Sequence, residues 1–220
     1  MPGVALALAA SPVAQAGGAG GGALEWWQGY SAPALLVYDA WSVGTLAAAK
    51  VNLANPGTYD LTEYGVGAAW SSSLGFALAS GGGLHTGYTV VPSGGGVLGK
   101  TLLMVPTQWN WTSRLVATET WAWDNADCYG FGSDGYGVAC NGGQVGSGGT
   151  LDVAHVIVGL AVYSDGSYVN NLPGSGMTTS SELGFGYIGG RDIGVARVAL
   201  FDGVLSAGEV ATLSALAKAH

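Results

Sequence analysis

The closing stretch of the chain, residues 183–220, places the tightest constraint on its fold. Residues 193–201 form a run rich in β-branched and apolar side chains, and Asp202-Gly203 ends that run with a turn dipeptide. A strand of this kind is typical of a β-sheet that is buried on at least one face. The stretch therefore predicts a strand, an aspartate-glycine hairpin turn, and then a different kind of element.

That next element is predicted to be one short helix. Ser206 precedes Glu209 by three residues, which is the spacing of a capping box: the serine hydroxyl accepts from the Glu209 amide and the carboxylate accepts from the Ser206 amide. Leu205 and Val210 occupy the hydrophobic-staple positions on either side of this cap. The predicted apolar face of the helix consists of Val210, Leu213, Leu216 and Ala217.

The rest of the chain consists of short β-rich runs between turn residues. Asp165-Gly166 separates two of these runs and has the sequence of a type I′ hairpin turn. Short strands with turn signals every eight to twelve residues are typical of an antiparallel sandwich. The predicted strands are residues 35–38, 98–105 and 114–123, and the strongest buried run is residues 153–164.

Two further segments are predicted to be something other than strand. Ser42 is a candidate cap for a short helix over residues 43–51, where Leu46 and Ala47 suit a helix. Residues 124–150 contain nine glycines and little periodicity, so we expect a long loop or a pair of hairpins there.

Several motifs resemble one known family. VALFDGVLSAGEVATLSAL resembles the closing strand and helix of laminin-G-like domains, which belong to the concanavalin A-like lectin/glucanase sandwiches. VNLANPGTYDLTEYGVGAAW and VGLAVYSDGSYVNN are similar to the entry segment and central hairpin of a subgroup found in bacteriophage virion proteins. The resemblance covers residues 51–217. It implies an all-β, antiparallel jelly-roll β-sandwich with one short C-terminal helix.

The domain organisation follows from composition. Residues 1–24 consist largely of Ala, Gly, Pro and Val without charge, so we expect an extended N-terminal arm, followed by a single domain over residues 25–220. The start of the arm imitates a secretion signal but lacks a basic region, which favours an uncleaved arm. No apolar segment reaches the roughly 18–20 residues that a membrane span needs.

The charge balance excludes one class of partner. The chain has 14 acidic residues against 6 lysines and arginines, for a net charge of −8. Binding to nucleic acid depends on cationic side chains that neutralise phosphates, so no nucleic-acid partner is expected. With 40 glycines and few charges, the surface suits coverage by other subunits.

The acidic residues do not form a glycosidase pair. Glucanases of this fold class place two carboxylates about 5–5.5 Å apart on one strand face, which requires residues two or four apart. Glu119 and Asp124 come nearest, but a spacing of five points them to opposite faces. Glu25, Glu63 and Glu182 stand isolated in sequence, as does Glu209 with its capping role, and His155 lies in an apolar run as an expected structural, hydrogen-bonded residue. We therefore expect no enzymatic activity and no catalytic residue.

Carbohydrate binding is the sharpest site hypothesis. Exposed aromatic rings stack on sugars, and alternate positions on a strand share a face. The alternative is that the same tryptophans fill the core or a subunit contact, which is the commoner role of large aromatic residues in a sandwich. The two candidate pairs are Trp109 with Trp111 and Trp121 with Trp123.

Two further features of the glycine-rich region have open alternatives. Asp124, Asp127 and Asp134 offer the hard oxygen ligands that calcium prefers, while Asx turns in a glycine-rich loop are the commoner explanation. Cys128 and Cys140 either close a hairpin as a disulfide, which we favour, or remain two buried thiols. No other cofactor is expected.

These observations together predict a structural component of a bacteriophage virion: a capsid decoration, minor capsid or tail-associated protein. The resemblance to phage-borne sandwiches, the low-charge surface and the uncharged arm all favour contacts with other copies of the chain and with virion structural proteins. The alternative is a carbohydrate-binding module that contacts cell-surface glycans, either for host recognition or as a bacterial adhesin. The expected location is the virion, or the cell exterior under the alternative.

Overall fold

The fold is described by a computed structural model that covers residues 24–79, 81–91, 99–108, 116–118, 129–131, 137–139, 143–145, 150–172, 181–186 and 193–219. Strands account for most of its regular structure. The elements in chain order are β1 (Ala34–Asp39), α1 (Leu46–Ala49), β2 (Thr62–Gly65), β3 (Ala68–Ser71), β4 (Gly75–Leu78), β5 (Gly82–Val90), β6 (Thr101–Gln108), β7 (Val116–Thr118), β8 (Tyr129–Phe131), β9 (Gly137–Ala139), β10 (Gly143–Val145), β11 (His155–Val158), β12 (Ala161–Ser164), β13 (Ser167–Asn171), β14 (Ser181–Phe185), β15 (Ile193–Phe201) and α2 (Ala207–Ala217).

The strands form two sheets. In the first sheet, eight described strands follow the order β13-β12-β11-β6-β15-β4-β3, with β1 paired to β15. In the second sheet, seven described strands follow the order β10-β9-β8-β7-β14-β5-β2. The pairs between described strands are antiparallel. This arrangement confirms the predicted all-β antiparallel sandwich.

The main core lies between the two sheets. Phe185 of the second sheet packs edge-on against Tyr38 and Phe76 of the first, with ring centroids 5.6 and 5.8 Å apart. All three side chains are fully buried. Since strand side chains alternate between faces, the residues next to these on each strand point away from this core. Each sheet therefore has an outer face, and the two outer faces have different surroundings.

Helix α2 covers the outer face of the first sheet, and its predicted capping box is confirmed. The Ser206 hydroxyl accepts from the Glu209 amide at 3.3 Å, and the carboxylate accepts from the Ser206 amide at 2.8 Å. The predicted apolar face is wrong at Leu216, which is 45% exposed, while Ser214 is buried instead. Neither described helix is long and apolar enough to cross a membrane.

The predicted helix near Ser42 is shorter and begins later. Helix α1 has Thr45 as its N-cap, and the Thr45 hydroxyl accepts from the Ala48 amide at 3.2 Å. Ser42 is not the cap, because its hydroxyl donates to Asp39 at 2.7 Å. The buried Asp39 carboxylate, three residues earlier, thus accepts the hydrogen bond of the Ser42 hydroxyl, which sequence spacing assigns to the helix cap.

The two aspartate-glycine turns differ. Asp165 and Gly166 have φ values of 49° and 76°, which confirms the type I′ hairpin between β12 and β13. Asp202-Gly203 is not a hairpin turn, because it leads from β15 to the cap of α2. The buried run over residues 153–164 folds as two strands, β11 and β12, that pair with each other. Gly159, with φ of 57°, lies in the turn between them.

The glycine-rich region contains the predicted hairpins. Strands β8, β9 and β10 pair consecutively, and β7 joins this group to β14. β7 is the described part of the strand predicted over residues 114–123. The predicted N-terminal arm, apart from Leu24, lies outside the described residues.

Candidate functional site

The sequence-predicted site residues lie outside the described part of the chain, so the carbohydrate, calcium and disulfide assignments stay predictions. The residues next to the two cysteines, Tyr129 and Ala139, face each other in the β8–β9 ladder. Among the described residues, no group of three His, Cys, Asp or Glu side chains is placed to hold a metal ion. The predicted residues concerned are Trp109, Trp111, Trp121, Trp123, Asp124, Asp127, Asp134, Cys128 and Cys140.

The outer face of the second sheet carries a cluster of aromatic and polar side chains. On β5, Leu84 is fully buried in the core, so the alternating pattern points His85 outward. On β14, Leu183 is buried in the same core, which places Glu182 on the outer face. On β2, Tyr64 packs edge-on against His85 with ring centroids 4.3 Å apart. Tyr64, His85 and Glu182 are called the outer patch below.

A glycine holds the tyrosine of the outer patch close to the sheet. Tyr64 lies opposite Gly83 in the β2–β5 ladder. A Cβ atom added to Gly83 would overlap the Tyr64 ring and its hydroxyl oxygen. The ring therefore occupies the space that a side chain at position 83 would take. As a result, the Tyr64 ring packs against the backbone of Gly83 while Tyr64 stays partly exposed.

The carboxylate of the outer patch is held from two sides. Oε1 of Glu182 accepts from the Gly87 amide at 2.8 Å and lies 3.3 Å from Nδ1 of His85. The side chains of His85 and Glu182 are 24% and 31% exposed, so a ligand can reach both. These contacts fix the direction of a carboxylate that still faces solvent.

A bulge between β14 and β5 creates this arrangement. Glu182 pairs with Thr89 and Gly184 with His85, so β5 has extra residues opposite a single residue of β14. Gly87 lies in the bulge with φ of 69°, a conformation that glycine adopts readily. The Thr86 hydroxyl donates to the Leu183 carbonyl at 2.8 Å and stabilises the irregular ladder.

The chemistry of the outer patch suits a hydroxyl-rich ligand. An aromatic ring offers a face for stacking, and a carboxylate and an imidazole offer directional hydrogen bonds. The nearest acidic residue on β2, Glu63, pairs with Leu84 in register, so it belongs to the opposite face of the sheet from Glu182. The two carboxylates are therefore not arranged as a hydrolytic pair.

A second cluster of polar groups, around Arg197, serves the fold. Nε of Arg197 donates to Asp39 at 2.9 Å, and Trp26 and Trp41 flank the guanidinium at 5.4 and 5.5 Å. Nη1 donates to the carbonyl of Ala217 at 2.8 Å, at the end of α2. Burial would raise the pKa of Asp39, but hydrogen bonds from Arg197, Ser42 and Trp26 outweigh it and hold that pKa below its usual range. The cluster connects α2 to the sheet.

His155 has the structural role expected of it. It is 3% exposed, and its Nε2 donates to the Thr150 carbonyl at 2.9 Å. Burial lowers the pKa of the imidazole and so favours its neutral form. We assign it no ligand.

A cleft of about 270 Å³ lies beside β3 and β4. Its lining is almost entirely aliphatic, with a single amide from Gln108, so it offers few groups that would orient a ligand. Its described lining residues are Ala69, Leu74, Ala77, Leu78, Ala79, Gln108 and Ile193.

Sequence spacing does not reveal the outer patch. His85 and Glu182 are 97 positions apart in the sequence, and they come together only because β5 and β14 are neighbours in the second sheet. One signal was available in Gly81-Gly82-Gly83, because a glycine inside a strand marks a close approach by another group. That signal identifies Gly83 but not the ring that covers it.

Comparison with known proteins identifies the fold. No protein-family model and no curated protein sequence matches the chain. Among solved structures, domain 4 of AbnA, a GH43 extracellular arabinanase from Geobacillus stearothermophilus in complex with arabinotriose, is similar with a TM-score of 0.52 and 13% identity. That match covers 83% of this chain and 98% of the arabinanase domain.

Two other similar structures are parts of larger proteins. Trypanosoma rangeli sialidase matches with a TM-score of 0.50 and 15% identity over 82% of this chain, which spans 32% of the sialidase chain. The binding domain of botulinum neurotoxin serotype D matches with a TM-score of 0.50 and 10% identity over 86% of this chain, spanning 53% of that domain. At such identities the likeness shows a shared β-sandwich fold. The expected phage subgroup stays a prediction.

Proposed function

We propose that this chain is a glycan-binding β-sandwich module and that the outer patch contacts the sugar. The observation that carries the proposal is the Tyr64 ring resting on Gly83, next to the fixed His85–Glu182 pair. Sugar-binding sites combine an aromatic surface with a few oriented polar groups, and the outer patch has both. The proposal agrees in class, though not in residues, with the tryptophan hypothesis from sequence.

The structural likeness supports the same class of function. The arabinanase domain that this chain nearly spans was solved with a bound oligosaccharide, arabinotriose. Since the likeness shows only the fold, the position of a sugar on this chain rests on its own residues. The outer face of the second sheet is the face that α2 leaves uncovered.

The outer patch has a physical basis for binding sugars without cleaving them. The apolar face of a sugar ring stacks on the tyrosine, while its hydroxyls donate to Glu182 and exchange hydrogen bonds with His85. Retaining hydrolysis requires a second carboxylate within about 5–5.5 Å on the same side. On the described strands β2, β5 and β14, the other acidic residue is Glu63, which belongs to the other face of the sheet, so we propose binding alone.

Substitution of the stacking ring tests the proposal. We expect purified protein to bind members of a glycan array, and Tyr64→Ala to weaken the best hit about tenfold, which corresponds to roughly 1.4 kcal/mol of lost stacking. Titration calorimetry measures the affinity. Tyr168→Ala is the matched control, because Tyr168 is 54% exposed on β13 of the other sheet.

The control should bind as tightly as the unchanged protein, and both variants should melt within a few degrees of it. Equal affinity of Tyr64→Ala and the unchanged protein would remove the outer patch from the proposal. A folded protein that binds no glycan on the array would refute the function itself.

A structural role in a bacteriophage virion is the second candidate function. The low-charge, glycine-rich composition suits coverage by other subunits, and several apolar side chains are exposed in the described part of the chain. The proposed partners are other copies of the chain and virion structural proteins, and the proposed location is the virion. The exposed fractions concerned are 70% for Val66, 61% for Val204, 60% for Leu24 and 58% for Val91.

A further inference from the structure

The outer patch presents a negative charge in a fixed position. The Gly87 amide and the His85 ring hold the Glu182 carboxylate at 2.8 and 3.3 Å, while 31% of the glutamate side chain stays exposed. A sugar stacked on the Tyr64 ring, which contacts His85 edge-on, would therefore lie close to this carboxylate. The charge acts on any ionised group that the sugar carries.

The lysines and arginines of the described part of the chain are engaged elsewhere. Each one pairs with a carboxylate other than Glu182, and the chain as a whole carries a net charge of −8. The positive charges of these side chains are therefore balanced by other carboxylates and not by Glu182. The pairs are Lys50 with Glu63 at 2.6 Å, Lys100 with Asp202 at 2.5 Å, Lys218 with Asp165 at 2.6 Å and Arg197 with Asp39 at 2.9 Å.

We infer that the outer patch selects uncharged sugars and rejects sugars that carry a carboxylate, such as uronic and sialic acids. This inference rests on the proposed glycan-binding function and adds the chemical class of the ligand. Neutral hydroxyls donate to Glu182 and gain a charge-assisted hydrogen bond. An anionic sugar in the same position meets a like charge, and the cost of bringing the two charges together reduces its affinity.

A pair of ligands that differ only in charge tests the inference. The glycan array contains neutral oligosaccharides together with counterparts in which a hydroxymethyl group is oxidised to a carboxylate. The best-binding neutral member and its carboxylate counterpart are then titrated against the full chain at 0.15 M salt. We expect the neutral ligand to bind at least about tenfold more tightly. This ratio should shrink at 0.5 M salt because exposed charges are screened.

The variant Glu182→Gln assigns the selectivity to one residue. Glutamine keeps an acceptor for the Gly87 amide but removes the charge, so the preference for the neutral ligand should narrow to within about threefold. The control variant is Glu25→Gln, which also removes one negative charge. Glu25 lies next to Trp26, which packs in the cluster on the outer face of the first sheet, away from the outer patch. This control should leave the preference unchanged.

The possible outcomes separate the inference from the function on which it rests. Equal or tighter binding of the carboxylate ligand overturns the inference and leaves glycan binding intact. An equal loss of selectivity in Glu182→Gln and Glu25→Gln also overturns it, because net charge would then be the cause. Binding of neither ligand refutes the proposed function, and the inference fails with it.

Discussion

Arg197 makes several buried contacts that stabilise the fold, in a chain that has few charged residues. Its guanidinium bonds the buried Asp39 carboxylate and donates to Ala217 and Ala219 at 2.8 and 2.7 Å. The last carbonyls of a helix lack partners within the helix, so a buried cation there satisfies both the carbonyls and the helix dipole. A single arginine in the apolar run of β15 was the sequence signal for such a role.

Replacement of the Arg197 side chain should strongly destabilise the folded protein. Arg197→Met leaves the Asp39 carboxylate buried without its main partner, so we expect the free energy of unfolding to fall by about 3–5 kcal/mol. Urea denaturation at pH 7 measures the loss. Lys218→Met, which breaks an exposed pair with Asp165, is the control and should change stability by about 1 kcal/mol or less. Comparable losses in the two variants would contradict this account of the buried pair.

At the scale of an element, the cap of α2 also binds the segment that precedes β1. Glu209 closes the capping box with Ser206 and accepts from the Ser31 amide at 2.7 Å. Burial would raise the pKa of Glu209, but hydrogen bonds from Ser206 and Ser31 outweigh it and lower that pKa from its ordinary 4.5 to about 2. The ionised carboxylate therefore connects the helix to a segment 178 positions away.

The cap should give the protein a defined acid sensitivity. Because the folded-state pKa of Glu209 is depressed, its stabilisation is complete above pH 4.5 and is lost as the pH falls towards about 2. Glu209→Gln should lower the free energy of unfolding by about 1 kcal/mol at pH 7, and this difference should vanish towards pH 2. Thermal melts across that range measure it. Glu25→Gln is the control, and a pH-independent difference for Glu209→Gln would contradict the linkage.

At the scale of the whole molecule, the two outer faces have different roles. Helix α2 and the Arg197 cluster cover the first sheet, so its outer face forms a second core. The outer face of the second sheet keeps Tyr64, His85 and Glu182 partly exposed. Helix α2 with the Arg197 cluster and the proposed ligand site thus lie on opposite sides of the main core.

The virion proposal is tested on the intact chain. If the chain is a particle component, sedimentation velocity should show self-association that rises with concentration, because the subunits of a particle contact other copies of themselves. Deletion of residues 1–24, the predicted arm, should weaken that association and lower occupancy on particles. Glu25→Gln, an exposed substitution just beyond the arm that leaves the arm in place, is the control. A monomer at all concentrations, or unchanged occupancy, would contradict the structural role.

Sequence alone determined the features that depend on neighbouring residues. The capping box, the type I′ turn and the strand over residues 193–201 follow from spacings of a few residues, and the structure confirms each of them. Local signals also predicted the sandwich, because a chain of many short strands with little helix must bury most of its apolar strand faces against another sheet. Where local signals competed, tertiary contacts decided, as with Ser42, which bonds Asp39 while Thr45 caps α1.

Tertiary structure alone decided which distant groups meet. Sheet order brings β14 beside β5, and only then does the Glu182 carboxylate reach His85 and the Gly87 amide. The packing of α2 likewise decides that Leu216 is exposed and Ser214 buried. A sequence specifies the period of each strand, but the pairing of strands far apart in the chain depends on the packing of the whole core. The candidate site is therefore a property of the assembled sheet.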